Sequence, residues 1–450
     1  MFSAHFPTGA FPRRLLSFAW PATLIASFAL SASGAMAPAA ANPFSSFSDS
    51  GPMTAKDRER LREEREAMAT RFAPAYEMKV PFVSEAAIQS LQQAITRYRA
   101  IVASGGWPKI SQEKTLRPGD TDRNVLTLRK HLAIEGDIPR DSRSPKFDQK
   151  LVEGLARFQI RNGLKVTGFV DRRTARVLNV PAEERLRQLE TNLERVQELM
   201  KLNKAKRYVL VNVPGYTLNA VEDGGLALSS RVIVGRPDRA TPLIDTRIVE
   251  VNFYPTWRVP DSVARKDLIP TIRKDPAYFN RENFNVMPGW GREPLDPAQV
   301  NWSAADVTKY KFRQDPGPNN ALGIVRLNMP NKHAVYMHDT PLKDLFGQST
   351  RAFSSGCVRV QRVIDLVAWL VSAQKGWDAA RVHEAAQAGE SIDVRLRPAV
   401  PVHFVYLTAW AQGNGAVQFR PDIYGRDSGF AEGEVDDNAA IAAQRSAITP

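Results

Sequence analysis

The chain has 450 residues, 43% hydrophobic and 24% charged, a composition that excludes an intrinsically disordered protein. Lysines and arginines number 61 against 48 acidic residues, and the resulting charge of +13 favours anionic surfaces. No nucleic-acid motif accompanies that charge, and its single cysteine excludes an internal disulfide. Its length leaves room for roughly two or three domains.

Residues 1–41 contain neither an acidic residue nor a lysine. Arg13 and Arg14 precede an apolar stretch from Leu15 to Leu30, followed by small residues with cleavage points after Ala37 or Ala41. This is the order of a signal peptide, and Pro21 with the Ala/Ser/Gly-rich end favours cleavage over a retained anchor. Removing the two arginines leaves 13 − 2 = +11.

An N-terminal helical region is expected over 42–110. Within it, Lys56–Arg71 alternates charges and reads as a solvated helix. Ile88, Leu91, Ile95, Tyr98, Ile101 and Val102 mark an amphipathic helix that stops at Gly105-Gly106-Trp107-Pro108. Over 113–182 a compact helical unit follows. Its apolar faces are Val125, Leu128, Leu132 and Leu151, Leu155, Phe158, and a third short helix runs from Asp171 to Leu178. A linking helix is expected over 183–204.

The texture then changes to short β-branched runs bounded by Gly, Pro or Asp, as strands should be. Strands are expected at Tyr208–Val213, Gly225–Leu228, Ser230–Gly235, Ile248–Asn252, Gly323–Leu327, Ala334–Met337 and Val402–Ala409. Residues 255–318, rich in aromatics such as Trp257, Trp290 and Trp302, read as an inserted lid. Val363–Leu370 reads as an amphipathic helix, and 428–450 as a disordered tail. The fold class is multidomain α+β, a small helical domain followed by a mostly β domain over 205–427.

Chemistry concentrates at Ser354-Ser355-Gly356-Cys357-Val358-Arg359-Val360, nineteen positions after His338. Attack on a carbonyl needs a thiolate, a base to make it and donors for the oxyanion. Free cysteine has a pKa of about 8.5, so an imidazole or other electropositive group must lower it. Cys357 is the candidate nucleophile and His338, at a strand end, its proton acceptor and donor. Gly356 allows a tight turn that aims backbone N–H groups at an oxyanion. Arg359 is placed to orient a substrate carboxylate. Strand alternation sets His338 opposite His333, so at most one of the two meets the thiol. A buried, inert cysteine is the plain alternative. No recognised ligand spacing supports a metal site on His333, His338 and Asp339.

Residues 116–180 resemble a peptidoglycan-binding domain through Leu116-Arg117-Pro118-Gly119-Asp120, Phe158-Gln159, Gly163-Leu164, Gly168, Asp171 and Thr174. The stretch from Tyr208 to Asp427 resembles an L,D-transpeptidase catalytic domain of the YkuD type, in the larger subfamily with an inserted capping region. The motifs that carry this are Val234-Gly235-Arg236, Thr241-Pro242, Asn252–Trp257, Arg313–Pro318, Asn320–Gly323, Tyr336–Pro341 and Ser354–Val360. The family pattern is Ser-His-Gly-Cys, and Ser355 stands here in place of the histidine. The resemblance implies that Cys357 forms a thioester with a tetrapeptide stem of peptidoglycan, releases D-alanine and yields a 3→3 cross-link. Transfer to water (an L,D-carboxypeptidase) and a non-catalytic wall-binding scaffold are the alternatives. It further implies substrate-binding roles for Arg359, Ser355, Tyr336 and Asp339, and acylation of Cys357 by carbapenems. No cofactor is implied. The expected partners are stem peptides, glycan and other wall-synthesis enzymes, and the expected location is the periplasm, at the cell wall.

Overall fold

In the computed structural model, residues 54–140, 143–202, 205–302 and 309–427 are described. The expected signal over 1–41, nearly all of the leader and the tail over 428–450 lie outside them. Among the described residues, no helix is long and apolar enough to cross a membrane.

Among the described residues, six α-helices come first: α1 (Ala55–Phe72), α2 (Glu85–Ala103), α3 (Arg123–Glu135), α4 (Gln149–Arg161), α5 (Arg172–Leu178) and α6 (Ala182–Leu202). Ser84, Asp122, Asp148 and Asp171 cap α2 to α5, each side chain accepting a first-turn N–H that has no partner within the helix. Val125, Leu128, Leu132, Leu151, Leu155 and Phe158 form one core with Leu178. Helix α1 departs from the solvated reading. Leu61, Met68 and Phe72 are buried against that core, a stripe that frequent charges hide in the sequence. Helix α6 is no free tether either. With α2 it packs Tyr98, Leu189 and Val196 against Tyr208, Leu210, Trp410 and Phe419 of the β domain.

The β domain is built on β1 (Arg207–Asn212), β2 (Thr217–Glu222), β3 (Gly225–Gly235), β4 (Asp245–Phe253), β8 (Val325–Asn328), β9 (Met337–His338), β10 (Ala352–Ser354), β11 (Val358–Val360) and β12 (Ile392–Val405). Their order is β10-β3-β11-β9-β8-β4-β12-β1-β2, and β2 also pairs with β3, so eight strands return on themselves. Val209, Val232, Val251, Leu327, Met337 and Val358 fill the interior with Leu366, Val367 and Leu370 of α10 (Val363–Val371). Helix α11 (Ala379–Ala388) adds Val382 and Ala385 to this core, and β13 (Ala409–Ala411) pairs with β14 (Val417–Phe419) in a hairpin.

Residues inserted after β4 make their own layer. Strands β5 (Trp257–Arg258), β7 (Lys311–Gln314) and β6 (Phe284–Met287) form a three-stranded sheet. Helix α7 (Asp261–Val263) runs through a π-helical turn, Ala264–Leu268, into α8 (Ile269–Lys274), and α9 (Tyr278–Arg281) follows. Trp257, Leu268, Ile272, Phe279, Trp302 and Phe312 are buried together. Trp257 and Trp302 thus pack inside this cap, whereas Trp290 is 42% exposed.

Strand boundaries differ from the sequence reading in three places. The two runs at 225–235 are one strand, and β12 begins at Ile392 rather than Val402. Ala334–Met337 is mostly a turn. Asn331 Oδ1 accepts from the His333 and Val335 N–H groups, Ala334 takes φ +53°, and β9 is only Met337–His338. His333 is exposed in that turn, so strand alternation with His338 does not apply to it.

Candidate active site

Strands β9 and β11 run parallel, with Met337 opposite Val358 and His338 opposite Arg359. Side chains alternate across a strand. Met337, Val358 and Val360 therefore enter the core, and Tyr336, His338, Cys357 and Arg359 share the other face. Cys357 directly precedes β11, two residues before Arg359, the partner of His338 across the strands.

His338 is completely buried, and its Nδ1 lies 2.5 Å from the Asp339 carbonyl oxygen. A carbonyl only accepts, so Nδ1 carries the proton and Nε2 the lone pair. That Nε2 is buried with no hydrogen-bond partner. Burial, then the Arg359 guanidinium and Lys343, pushes the imidazole down to about 3. Burial also pushes the Cys357 thiol up to about 11, against backbone and side-chain hydrogen bonds from Tyr336 and the charge of Arg359. The sequence led us to expect a depressed thiol; desolvation wins instead. Arg359 is itself completely buried and lowered to about 10. Burial and the nearby thiol raise the Tyr336 phenol, which is half-buried.

The turn that carries Cys357 is tied from below. Ser354 Oγ donates to the Cys357 carbonyl at 2.5 Å and accepts from the Gly356 N–H at 3.2 Å. Gly356 takes φ +123°, a region that L side chains rarely adopt. Its carbonyl accepts from Thr241 Oγ1 at 2.9 Å, and that oxygen accepts from the Gly235 N–H at 2.8 Å. A Cβ on Gly235 would lie 2.2 Å from the Arg239 carbonyl, so only glycine fits. Gly235 and Thr241, legible as motif residues, thus act on the thiol through the backbone of its neighbour.

Ser355 Oγ accepts from Arg239 Nη1 at 2.8 Å. Arg239 also forms a two-pronged ion pair with Asp267 in the π-helical turn of the cap, one contact being Nη2 to Oδ1 at 3.0 Å. Sequence reasoning missed both residues: Arg239 falls between two motifs, and Asp267 lies in the insertion with no pattern around it. Asp339, expected to bind substrate, is 3% exposed, and its carboxylate accepts from the Ile324 N–H at 3.1 Å and pairs with Lys343. Tyr336 packs against both the main core and the cap core, with Trp257 beside its hydroxyl.

Residues 206–385 match the YkuD family model, described as an L,D-transpeptidase catalytic domain. That match takes in most of the β domain and less than half of the chain. Residues 121–178 match a second model, "Putative peptidoglycan binding domain". A Haemophilus influenzae protein named "Putative L,D-transpeptidase" is 37% identical over 220 residues, which take in 49% of this chain and 44% of that relative. The matched region is thus less than half of the relative's length. Among solved structures, an L,D-transpeptidase of Stackebrandtia nassauensis has 14% identity and a TM-score of 0.26, covering 66% of this chain and 97% of its own. One from Xylanimonas cellulosilytica has 13% identity and a TM-score of 0.22, covering 66% and 98%. Overlays this loose add nothing to the fold described above.

Proposed function

We propose that the protein is an exported, periplasmic L,D-transpeptidase that makes 3→3 cross-links in peptidoglycan through a thioester on Cys357. The observation that carries this reading is the buried, unpartnered Nε2 of His338 on the same sheet face as the only cysteine.

Cys357 Sγ attacks the carbonyl of the third stem residue, meso-diaminopimelate, and its proton passes to His338 Nε2. The C–N bond to D-alanine breaks, and the same proton goes to the departing amine. An amine of a second stem then attacks the thioester and gives a proton to Nε2, which returns it to sulfur as the C–S bond breaks. With the thiol near 11 and the imidazole near 3, the neutral pair is favoured over the thiolate–imidazolium pair. Proton transfer therefore accompanies attack rather than preceding it, which makes oxyanion stabilisation the larger part of catalysis. The Cys357 N–H is one donor; the Gly356 N–H joins it by exchanging Ser354 Oγ for the substrate oxygen. Arg359, beside sulfur and ring, stabilises negative charge developing there. Tyr336 donates to sulfur while it carries charge, and Asp339 positions the strand end from which His338 projects. Ser355 holds Arg239 against the substrate side of the turn.

Cys357 is 6% exposed, so a stem peptide reaches it only after the residues over it move. A closed cap also excludes water, which favours an amine acceptor over hydrolysis. The test is mass spectrometry of tetrapeptide muropeptides incubated with the protein. Dimers lost in Cys357→Ala are expected, with one carbapenem adduct on the wild-type chain alone. Tripeptide monomers without dimers would assign the thioester to water. Unaltered muropeptides with wild-type protein would leave a wall-binding scaffold.

A further inference from the structure

A cavity of about 800 Å³ lies between α1, the turn after α4, the β1–β2 turn and the middle of β3. Seven cationic side chains line it, among them Arg65, Lys165, Arg231, Arg351, Arg362 and Arg420, against two acidic ones, Glu66 and Glu77. Buried charges are ordinarily paired with opposite ones. Here the charges bearing on Arg351 are Arg231 and Arg420, which repel it, with only the Tyr216 phenol in its favour. Burial and that repulsion lower Arg351 to about 9, and burial lowers Arg420 to about 10. Arg65 Nε is buried without a hydrogen-bond partner. Arg351 donates to the carbonyls of Val232, Gln348 and Tyr216, and Arg420 to those of Arg161 and Phe419. These bonds satisfy geometry while leaving the positive charge uncompensated.

We propose that this cavity binds an oxyanion-bearing chain, the carboxylate-rich stem peptide of a peptidoglycan strand, at a second locus away from the thiol. Its volume is in the range of sites that hold drug-sized ligands, and larger than one inorganic ion requires. Guanidinium groups are matched to carboxylates in geometry as well as charge. Gln361 and Arg362 at the far end of β11 line the cavity. Three residues of strand separate Gln361 from Cys357, four steps or about 13 Å at 3.3 Å per residue, so the site is distinct from the thiol yet close enough for a neighbouring stem of the same strand. The walls come from the peptidoglycan-binding-like helices and from the catalytic sheet together, so an occupied cavity would hold substrate against both. The choice of stem peptide rests on the function proposed above; the preference for oxyanions does not.

The test uses full-length Cys357→Ala protein, so that binding is read without turnover. Co-sedimentation with intact sacculi is compared with sacculi stripped of stem peptides by an amidase, and with competition by inorganic phosphate. Lys165→Gln with Arg231→Gln, both exposed, is expected to weaken binding to intact sacculi about tenfold. Stripped sacculi should bind the two proteins equally, and phosphate at millimolar concentration should compete weakly. A matching thermal melt checks that the double variant is folded. Equal binding of variant and parent to intact sacculi would overturn the proposal. So would a variant effect that persists on stripped sacculi, or displacement by micromolar phosphate, which would assign the cavity to a free anion. A protein that binds as expected but forms no dimers overturns the proposed reaction and leaves this site standing.

Discussion

Asp267→Asn removes the charge that holds the cap to the turn before Cys357, while leaving the size of the side chain unchanged. Arg239 and Asp267 are 13% and 24% exposed, so the pair lies between an exposed ion pair, worth up to about 1 kcal/mol, and a buried one, whose breakage costs about 3–5 kcal/mol. Two charge-assisted contacts at that burial give about 2 kcal/mol for losing the charged half. If this energy resists local opening of the cap, amides of α7, the π-helical turn and α8 should exchange about 30-fold faster. Amides of β1 and β12, on the far side of the sheet, should keep their rates. Hydrogen-exchange mass spectrometry of the full chain reads both regions at once. Unchanged exchange in the cap, or a rise spread evenly over the sheet, would refute the idea that Arg239 latches the cap through Asp267.

Three further outcomes follow from the site. Alkylation of Cys357 by iodoacetamide should keep accelerating from pH 8 toward about 11, without the plateau above 9 of a free cysteine; a plateau near neutral pH would mean a preformed thiolate. His338 is held neutral with its pKa near 3 against 6.5 unfolded, so it contributes stability above 6.5 that is lost as pH falls toward 3. His338→Gln should accordingly flatten the acid limb of the denaturation curve by up to about 1.4 kcal/mol per pH unit, and an unchanged slope would contradict its burial. Gly235→Ala should cost about 1–3 kcal/mol by urea denaturation and reduce Cys357 acylation, because Arg239 and Thr241 must shift; a variant as stable and as reactive as the parent would show that the turn tolerates a Cβ.

Local chemistry made much of this protein readable from its residues. Asp171 announces a helix start, and the apolar faces of α3 and α4 are spaced as a helical core requires. Cys357, His338 and Gly356 could be singled out because a lone thiol beside a glycine, after an imidazole, is chemically unusual. What stayed hidden depends on contacts distant in sequence. The stripe Leu61, Met68 and Phe72 is masked by surrounding charges, and β2 carries too few apolar residues to stand out. Asp267 acquires meaning only when the cap folds back onto Arg239. The sign of the thiol's shift was also beyond reach, since residue types name possible partners but burial decides which influence prevails.

Protonated sulfur has a bearing on survival as well as on the proposed reaction. Peroxide attacks thiolates, and an irreversible sulfinic or sulfonic product on Cys357 would end the molecule's chemistry, since no second cysteine can rescue it as a disulfide. Burial of the side chain against Tyr336 keeps it inert between encounters, so the resting protein should tolerate oxidants that inactivate low-pKa cysteine enzymes. Vulnerability would be confined to the brief interval when a substrate has pried the cover open.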